Sequence, residues 1–373
     1  MTGQDGPSGS QIPRAMRAAM LVGNGGPEMI EVRSDVPVPR PGADEVLIEV
    51  AACGINNTDI NTRVGWYSRS VTGATDGRGF EESQPDDSTW GRGTLDFPRI
   101  QGADVSGRIV ATGSSVDEAL VGHRVVVDPW IRDSRHPERR ELAGYLGSEH
   151  DGGFAEYCAV PAGNAHPIDT PLSDVELASF ACSWSTAEHM LQRVGLEPGQ
   201  SVAVTGASGG VGTALIQLAK LRGARVVAIA GRAKLEGLGD LGADAVVARD
   251  DPEPLEAAVA ANGGPFDAVA DVVGGARFSA CLDALRRGGR YATSGAISGP
   301  LVQLDLRTLY LNDLELYGAT VFAPRVFADL VGYIERGEVR PVVAGVYPLE
   351  DIHAAQADFE RKDHIGSLVI SLR

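Results

Sequence analysis

Residues 201–220 read SVAVTGASGGVGTALIQLAK, and this stretch decides the fold. An apolar segment runs into a glycine-rich turn and then directly into a segment with the apolar spacing of a helix. The turn carries the fingerprint A-x-G-x-x-G at Ala207, Gly209 and Gly212. In such a turn the small first residue permits a tight bend, the second lets the backbone approach a pyrophosphate, and the third allows the helix to pack closely on the strand. The stretch therefore predicts the phosphate-binding turn of a Rossmann domain.

The residues around this turn also indicate which dinucleotide it binds. The helix start offers free N–H groups and a positive dipole end to the phosphates, and the residues predicted to contact them are Ala207, Ser208, Gly209, Gly210, Val211 and Gly212. The next apolar strand ends at Gly231-Arg232-Ala233-Lys234, without the Asp or Glu that usually binds the ribose of NAD. Arg232 and Lys234 can hold a 2′-phosphate, so we predict NADPH, with Gly231 beside it. The alternative is that both are solvated side chains at a helix start.

The organisation of the chain follows from its patterns of strands and helices. Residues 173–322 alternate apolar strands with amphipathic helices, which is typical of a doubly wound parallel sheet covered on both faces. Residues 17–172 contain short strands and turns in a barrel-like style, and residues 323–373 are expected to return to them. Residues 1–16 are predicted to be a disordered tail. Residues 68–97, rich in Gly, Ser, Asp and Glu, are predicted to form a surface loop or flap.

Composition limits the partners and the compartment. The formal net charge of −17 over 373 residues argues against nucleic acid and anionic membranes, whose phosphates need a basic surface. No apolar run approaches the roughly 20 residues that span a bilayer. The four cysteines are widely spaced and form no C-x-x-C, which fits reduced thiols better than a disulfide framework. We therefore predict a cytoplasmic protein with a small-molecule substrate.

From Arg17 to the C-terminus, the chain resembles the medium-chain dehydrogenase/reductase superfamily. The resemblance rests on the segments VPVPRPGADEVLIEVAACGINNTD, QGADVSGRIVATGSSV, GGFAEY, GASGGVGTALIQLAK, LGAD, DVVGG and GEVRPVV. It implies a mainly β GroES-like catalytic domain in two sequence pieces, a Rossmann domain between them, and an active site in the cleft. It also implies a homodimer formed through the edge strand ELYGATVF. The further residues that it implies beside the nicotinamide are Val273, Gly274, Ser294 and Gly295.

The superfamily divides by metal content. Its zinc-dependent members carry a ligand cysteine in G-[VI]-C-x-[ST]-D, a histidine in G-H-E, and a second cysteine before the Rossmann domain. This chain has Asn56, Ala103 and Cys182 at those positions. An amide and one thiolate do not make the three protein ligands that a catalytic zinc needs, and the four-cysteine lobe of the structural zinc is absent. We predict no metal; the alternative is a degenerate site with Cys182 and Asp104.

Asparagine in that position resembles the quinone-reductase and enoyl-reductase branches, as does the R-x-G-x-Y segment ending at Tyr67. The segment Asn57-Thr58-Asp59 is instead similar to the zinc enzymes. The resemblance implies that Asn56 and Tyr67 lie near the nicotinamide. We predict hydride transfer from NADPH to a quinone or to an α,β-unsaturated carbonyl, with Asn56 orienting the substrate or the carboxamide and Tyr67 or a water donating the proton. The alternatives are an alcohol dehydrogenase or carbonyl reductase, and a non-catalytic nucleotide-binding protein.

Overall fold

The computed structural model describes residues 12–75, 89 and 93–373. Its strands are β1 (Ala15–Leu21), β2 (Ile30–Pro37), β3 (Glu45–Ile55), β4 (Arg99–Ile100), β5 (Asp104–Thr112), β6 (Arg124–Val127), β7 (Trp130–Ile131), β8 (Gly144–Tyr145), β9 (Tyr157–Pro161), β10 (Ala165–Pro167), β11 (Ser201–Val204), β12 (Arg225–Ala230), β13 (Ala245–Ala248), β14 (Phe266–Asp271), β15 (Leu285–Thr293), β16 (Glu315–Gly318), β17 (Val343–Pro348) and β18 (Ser367–Ser371). Its α-helices are α1 (Asn57–Arg63), α2 (Asp174–Leu177), α3 (Ala181–Arg193), α4 (Gly210–Leu221), α5 (Leu235–Asp240), α6 (Pro254–Asn262), α7 (Phe278–Asp283), α8 (Leu306–Leu311), α9 (Pro324–Glu335) and α10 (Ile352–Arg361). Among the described residues, no helix has the length and apolar character needed to cross a membrane.

The second half of the chain contains a six-stranded sheet in the order β13-β12-β11-β14-β15-β16, and every neighbouring pair is parallel. Its central strand β11 is buried on both faces, because Val202 and Val204 belong to one apolar core while Ala203 belongs to another. This is the strand order of the Rossmann fold, with its switch point between β11 and β14. The predicted fold class is confirmed.

The first half of the chain is built from antiparallel β-sheets. The largest has the order β10-β6-β5-β3-β18-β17, and β9 also pairs with β3. The C-terminal strand β18 therefore lies beside β3, antiparallel to it, with Ile370 opposite Cys53. Apolar side chains from these strands form a core of their own. This sheet places the start of α1, which follows β3, at the boundary with the parallel sheet.

Two predicted boundaries differ from the structure. The predicted tail, residues 1–16, is too long, since β1 begins at Ala15 and Met16 is buried in the core. Residues 323–373 do not all return to the first sheets, because the apolar face of α9, with Phe327 and Leu330, packs in the same core as α3 and α4. The return begins at β17 instead.

The predicted loop or flap over residues 68–97 is only partly described. Residues 76–88 and 90–92 lie outside the described residues, as do residues 1–11 of the predicted tail. The described start of the loop reaches across the cleft, because the backbone N–H of Thr75 donates to the carbonyl of Ile297 at 2.9 Å.

Candidate active site

A cavity of about 500 Å³ lies between the antiparallel sheets and the carboxyl edge of the parallel sheet. Open α/β sheets bind their ligands at this edge, beside the switch point. The predicted site residues that line it are Asn56, Tyr67, Gly209, Gly210, Val211, Gly212, Ser294 and Gly295. The predicted site residues outside the described lining are Ala207, Ser208, Gly231, Arg232, Lys234, Val273 and Gly274. The structure therefore brings the two predicted catalytic side chains together with the phosphate-binding turn.

The glycines of the turn have different surroundings. Gly206 has a φ of +57°, in the left-handed region that favours glycine. A Cβ at Gly212 would lie 2.4 Å from the carbonyl oxygen of Gly206, so only glycine lets α4 approach the turn this closely. Apart from its chain neighbours, a Cβ at Gly209 would meet no described atom nearer than 3.7 Å. The open space at Gly209, beside the first N–H groups of α4, fits the diphosphate of a dinucleotide.

The residues from which NADPH was predicted follow the end of β12. Among them, Arg232 comes directly after Gly231 and is exposed. Its guanidinium forms ion pairs with Asp250 at 3.3 Å and with Asp251 at 2.9 Å. Both carboxylates follow β13, the neighbouring strand at the edge of the sheet. Because β12 and β13 are parallel, they end at the same edge of the sheet. Asp250 and Asp251 therefore lie beside Arg232, although they are 18 and 19 positions downstream of it. Neither acid was predicted from the sequence.

Lys234 turns toward the glycine-rich turn. Its Nζ lies 3.4 Å from Ser208 Oγ, and it also donates to the backbone carbonyl of Lys362. Burial lowers the pKa of Lys234, and the positive charge of Arg249 lowers it further. The ammonium is therefore close to the phosphate turn and is partly withdrawn from water.

The turn after β14 is held by the buried carboxylate of Asp271. Its oxygens accept from the backbone N–H groups of Val273 at 2.8 Å and Gly274 at 3.1 Å. They also accept from the hydroxyl of Tyr291 at 2.6 Å and from that of Thr205. Asp271 therefore fixes the backbone of a loop that borders the cavity, and Val273 and Gly274 belong to that loop.

Asn56 directly precedes α1. Its backbone N–H donates to Asp59 Oδ2 at 2.8 Å, and its side-chain Oδ1 accepts from Ser183 Oγ at 3.2 Å. The residue is 7% exposed, and its amide lies near Asp104, but no described acceptor meets Nδ2 with the geometry of a hydrogen bond. A buried N–H group without an acceptor is costly. Nδ2 itself is buried, and the amide faces the carboxyl group of Asp104.

Two buried carboxyl groups lie behind Asn56. Burial raises the pKa of Asp59 to about 7, against the hydrogen bonds that the backbone N–H groups of Asn56 and Gly102 donate to it. Burial also raises the pKa of Asp104 to about 7, and the Asn56 amide and the backbone N–H of Cys182 oppose the rise. The N–H of Cys182 lies 2.5 Å from Asp104 Oδ1. Both carboxyl groups therefore keep their protons to a higher pH than an exposed aspartic acid does, which reduces the negative charge of this wall.

This set of donors does not fit a catalytic zinc. The three ligand positions hold the amide of Asn56, the methyl group of Ala103 and the thiol of Cys182. Burial and the charge of Asp104 raise the pKa of Cys182 well above its ordinary value, whereas zinc binds a thiolate. The alternative ligand Asp104 already accepts a hydrogen bond from Cys182. No cluster of three or more His, Cys, Asp or Glu in the described part of the chain could hold a metal.

Tyr67 lies on the cavity wall and is part of a small polar network. Its hydroxyl interacts with the side chains of Thr58 and Asn61, and these contacts oppose the rise in the pKa of Tyr67 that burial causes. Thr58 and Asn61 belong to α1 and also line the cavity. Neither residue was predicted from the sequence. They are three positions apart, so they share one side of α1, but the sequence does not show that this side faces the cavity.

The remaining walls of the cavity contain residues that the sequence analysis did not identify. The aromatic side chains of the lining, in addition to Tyr67, are Trp66, Trp130, Tyr145 and Phe359. Two basic residues, Lys362 and His364, also line the cavity. They follow α10, about 150 positions downstream of the glycine-rich turn, so no local motif connects them to it.

Comparisons with known proteins agree with this arrangement. Residues 42–170 match the family model of the alcohol dehydrogenase GroES-like domain, and residues 210–336 match that of the zinc-binding dehydrogenases. A GroES-like domain beside a nucleotide-binding Rossmann domain defines a class of protein, the two-domain oxidoreductases that use a pyridine nucleotide.

The individual relatives cover almost the whole chain. A solved structure from Sinorhizobium meliloti 1021, provisionally named an alcohol dehydrogenase, has 47% identity and a TM-score of 0.85, and the match covers 96% of this chain and 97% of that one. A quinone oxidoreductase of Lama guanicoe is 29% identical over 96% of this chain and 98% of its own. A NAD-dependent alcohol dehydrogenase of Sulfurisphaera tokodaii is 28% identical over 95% of this chain and 99% of its own. The chain belongs to the medium-chain dehydrogenase/reductase superfamily.

Proposed function

We propose that this protein is a zinc-independent, NADPH-dependent reductase that transfers hydride to a quinone or to the β-carbon of an α,β-unsaturated carbonyl. The observation that carries the proposal is the amide of Asn56. It occupies the position of the first zinc ligand, lines the cavity, and has an Nδ2 without a described acceptor. A preorganised N–H donor in a site that excludes water can polarise a carbonyl oxygen in place of a metal.

The reduced nicotinamide supplies the hydride when it is bound. Asn56 Nδ2 donates to the carbonyl oxygen of the substrate or holds the carboxamide. The raised pKa values of Asp59 and Asp104 reduce the negative charge near that oxygen. The proton comes from Tyr67, or from a water that Tyr67 holds together with Thr58. These roles need only hydrogen bonds and partly protonated acids.

The uncharged part of the cavity lining supports the substrate class. It includes Trp66, Trp130, Tyr145, Thr186 and Ile297. Aromatic walls favour planar, apolar ligands, because stacking and area burial both stabilise them. We therefore propose an uncharged quinone or enone rather than a carboxylate substrate.

The preference for NADPH rests on the end of β12. No carboxylate follows Ala230 directly, where NAD-binding domains place one, and Lys234 lies beside the phosphate turn. Arg232 is exposed and can exchange its carboxylate partners for a 2′-phosphate. The ratio of kcat/KM with NADPH to that with NADH tests this part of the proposal directly, and a ratio below one contradicts it.

The second candidate is an alcohol dehydrogenase or carbonyl reductase, which the name of the 47% identical relative favours. Oxidation of NADPH with a panel of quinones, enones and saturated aldehydes separates the candidates. We expect turnover with quinones or enones and little with saturated aldehydes. The reverse order favours the second candidate, and tight NADPH binding without any turnover favours a non-catalytic nucleotide-binding protein.

Replacing Tyr67 by phenylalanine tests the proton donor. The variant keeps the ring that contacts Trp66 but loses the hydroxyl, so we expect kcat for an enone to fall about a hundredfold. The dissociation constant of NADPH should stay within a few-fold, since the hydroxyl contacts α1 and not the phosphate turn. Unchanged turnover would remove Tyr67 from the mechanism and leave a bound water as the donor.

The proposal extends to assembly and location. Strand β16 ends the parallel sheet, and the apolar side chains exposed near it are Leu306, Tyr310, Leu311 and Leu316. An unpaired edge beside exposed apolar residues suits a second copy of this chain. Light scattering of the wild type should give the mass of a dimer. The double variant Leu306→Glu with Leu311→Glu should give the mass of a monomer. A monomeric wild type would contradict this proposal.

We place the protein in the cytosol, where its four free cysteines stay reduced.

A further inference from the structure

Two tyrosine hydroxyls lie beside the thiol of Cys182, in the wall of the cavity. The hydroxyl of Tyr145 forms a hydrogen bond with this thiol. Burial and, to a smaller extent, the neighbouring Cys182 raise the pKa of Tyr67, so its hydroxyl also lies near the same sulfur. All three residues line the cavity. The proposed proton transfer uses Tyr67, whereas Tyr145 has so far been only a part of the wall.

The hydroxyl of Tyr145 is a hydrogen-bond donor. Burial raises the pKa of Tyr145 well above its ordinary value, and the neighbouring Cys182 and Asp104 raise it further. The hydroxyl therefore keeps its proton and directs it at the sulfur of Cys182. A thiol is only a weak acceptor, so the oxygen of a ligand can replace it as the acceptor at little cost.

The position of this donor is fixed by the surrounding structure. The ring of Tyr145 is 4% exposed and packs edge-on against Trp130, its partner across the β7-β8 ladder, with the ring centres 4.7 Å apart. The backbone N–H of Trp130 donates to Asp128 at 3.0 Å, and its carbonyl accepts from Arg132 at 2.8 Å and from Asn164 at 3.0 Å. The donor is therefore in place before a ligand binds, as electrostatic catalysis requires.

Tyr145 and Asn56 belong to the same small polar cluster. The carboxyl group of Asp104 contacts the amide of Asn56 and accepts from the backbone N–H of Cys182 at 2.5 Å. Its charge also contributes to the raised pKa of Tyr145, which places the hydroxyl near this group. Asn56 and Cys182 occupy two of the three zinc-ligand positions. The hydroxyl of Tyr145 therefore lies beside the positions from which a metal would be held.

We propose that Tyr145 is a second catalytic residue of the reduction, whose hydroxyl donates a hydrogen bond to the substrate oxygen on which negative charge develops. The inference rests on the proposed function only in that the substrate carries a carbonyl oxygen. It assigns different roles to the two tyrosines. Tyr67 moves a proton, and Tyr145 holds the oxygen and keeps its own proton.

The reaction balances with these roles. For an enone, the β-carbon receives the hydride and its electron pair from NADPH, and the electron pair of the alkene moves toward the carbonyl to form an enolate. The enolate oxygen carries the negative charge and accepts from the hydroxyl of Tyr145. The α-carbon then takes one proton from Tyr67 or its water. The products are the saturated carbonyl compound and NADP⁺.

Tyr145→Phe tests the proposal in the full-length protein, because it keeps the ring and removes only the hydroxyl. We expect kcat with 2-cyclohexen-1-one to fall about a hundredfold, the lower end of the range for one lost oxyanion donor. The melting temperature and the dissociation constant of NADPH should stay close to those of the wild type. Tyr157→Phe is the matched control, since Tyr157 lies on β9 outside the described cavity lining, and it should match the wild type. Unchanged turnover of Tyr145→Phe would overturn the proposal and leave the proposed reduction intact.

Ligand binding separates a donor from a residue that only supports the wall. The oxygen of 4-nitrophenolate carries negative charge as an enolate oxygen does, and nitrobenzene has the same ring without that oxygen. In the NADP⁺ complex, Tyr145→Phe should bind 4-nitrophenolate about tenfold to a hundredfold more weakly, as for a lost hydrogen bond to a charged group, and nitrobenzene equally well. Equal losses for both ligands, or no loss for either, would overturn the proposal. If enones are not turned over but this difference is found, the proposed function fails and the role of Tyr145 as a donor stands.

Discussion

Replacing Asn56 by alanine lowers kcat for an enone or a quinone by about a hundredfold to a thousandfold, the range measured when a single preorganised donor is removed. The dissociation constant of NADPH changes far less, because the backbone N–H groups of the glycine-rich turn, and not this amide, are expected to bind the diphosphate. The loss follows from removing Nδ2, the buried donor without a described acceptor. Steady-state kinetics with a fixed enone, together with fluorescence titration of NADPH, separates the two effects.

Ser183→Ala is the matched control for Asn56→Ala. It removes the hydroxyl that donates to Asn56 Oδ1 at 3.2 Å but leaves Nδ2 in place. A lost hydrogen bond of this kind costs about 1 kcal/mol, so we expect a decrease in kcat of less than about tenfold. Equal decreases in both variants would mean that the polar network as a whole, and not the Nδ2 donor, supports turnover. Full activity of Asn56→Ala would contradict the proposed mechanism.

Substituting alanine at Gly209 and at Gly212 should weaken dinucleotide binding strongly, for two different reasons. At Gly212 the new Cβ would lie 2.4 Å from the carbonyl oxygen of Gly206, so the turn must shift, and we expect a lower melting temperature as well as lost binding. At Gly209 the methyl group meets no described atom nearer than 3.7 Å, so the fold is unaffected. The methyl group of Gly209→Ala occupies the space predicted for the diphosphate. The affinity for NADPH should therefore fall by more than about tenfold.

Thermal unfolding and NADPH titration of the two variants check this pair. Gly163→Ala is the control, since a Cβ there meets nothing within 4 Å and the residue lies outside the cavity lining. It should match the wild type in both measurements. Gly209→Ala with normal NADPH affinity would show that the dinucleotide does not approach this turn.

The fold was accessible from sequence because its signals are local. The run from β11 through Gly209 into α4 is continuous, and apolar strands such as β12 are buried whatever the details of their neighbours. Asn56 stands out as a candidate in the sequence because it replaces a ligand within a short motif. The packing of α9 on α3 could not be predicted, since the apolar face of an amphipathic helix does not specify its partner.

The parts of the site that were missed depend on contacts between distant segments. Lys362 reaches the turn at Gly209 only because β18 pairs with β3 and carries the C-terminal segment across the cleft. The carboxylates of Asp250 and Asp251 reach Arg232 through the alignment of two strand ends. In both cases the chemistry of each residue was visible, but the sheet register that brings them together was not.

The proposed reaction is hydride transfer without a metal, and turnover measured together with metal content distinguishes it from a zinc-dependent reaction. Protein purified without added metal is treated with a chelator, and its metal content is measured in the same sample used to follow NADPH oxidation with an enone or a quinone. We expect turnover at far less than one metal ion per chain, with no increase when zinc is added, because Asn56 and Ala103 occupy ligand positions. Turnover that disappears with the metal and returns in proportion to bound zinc would contradict it.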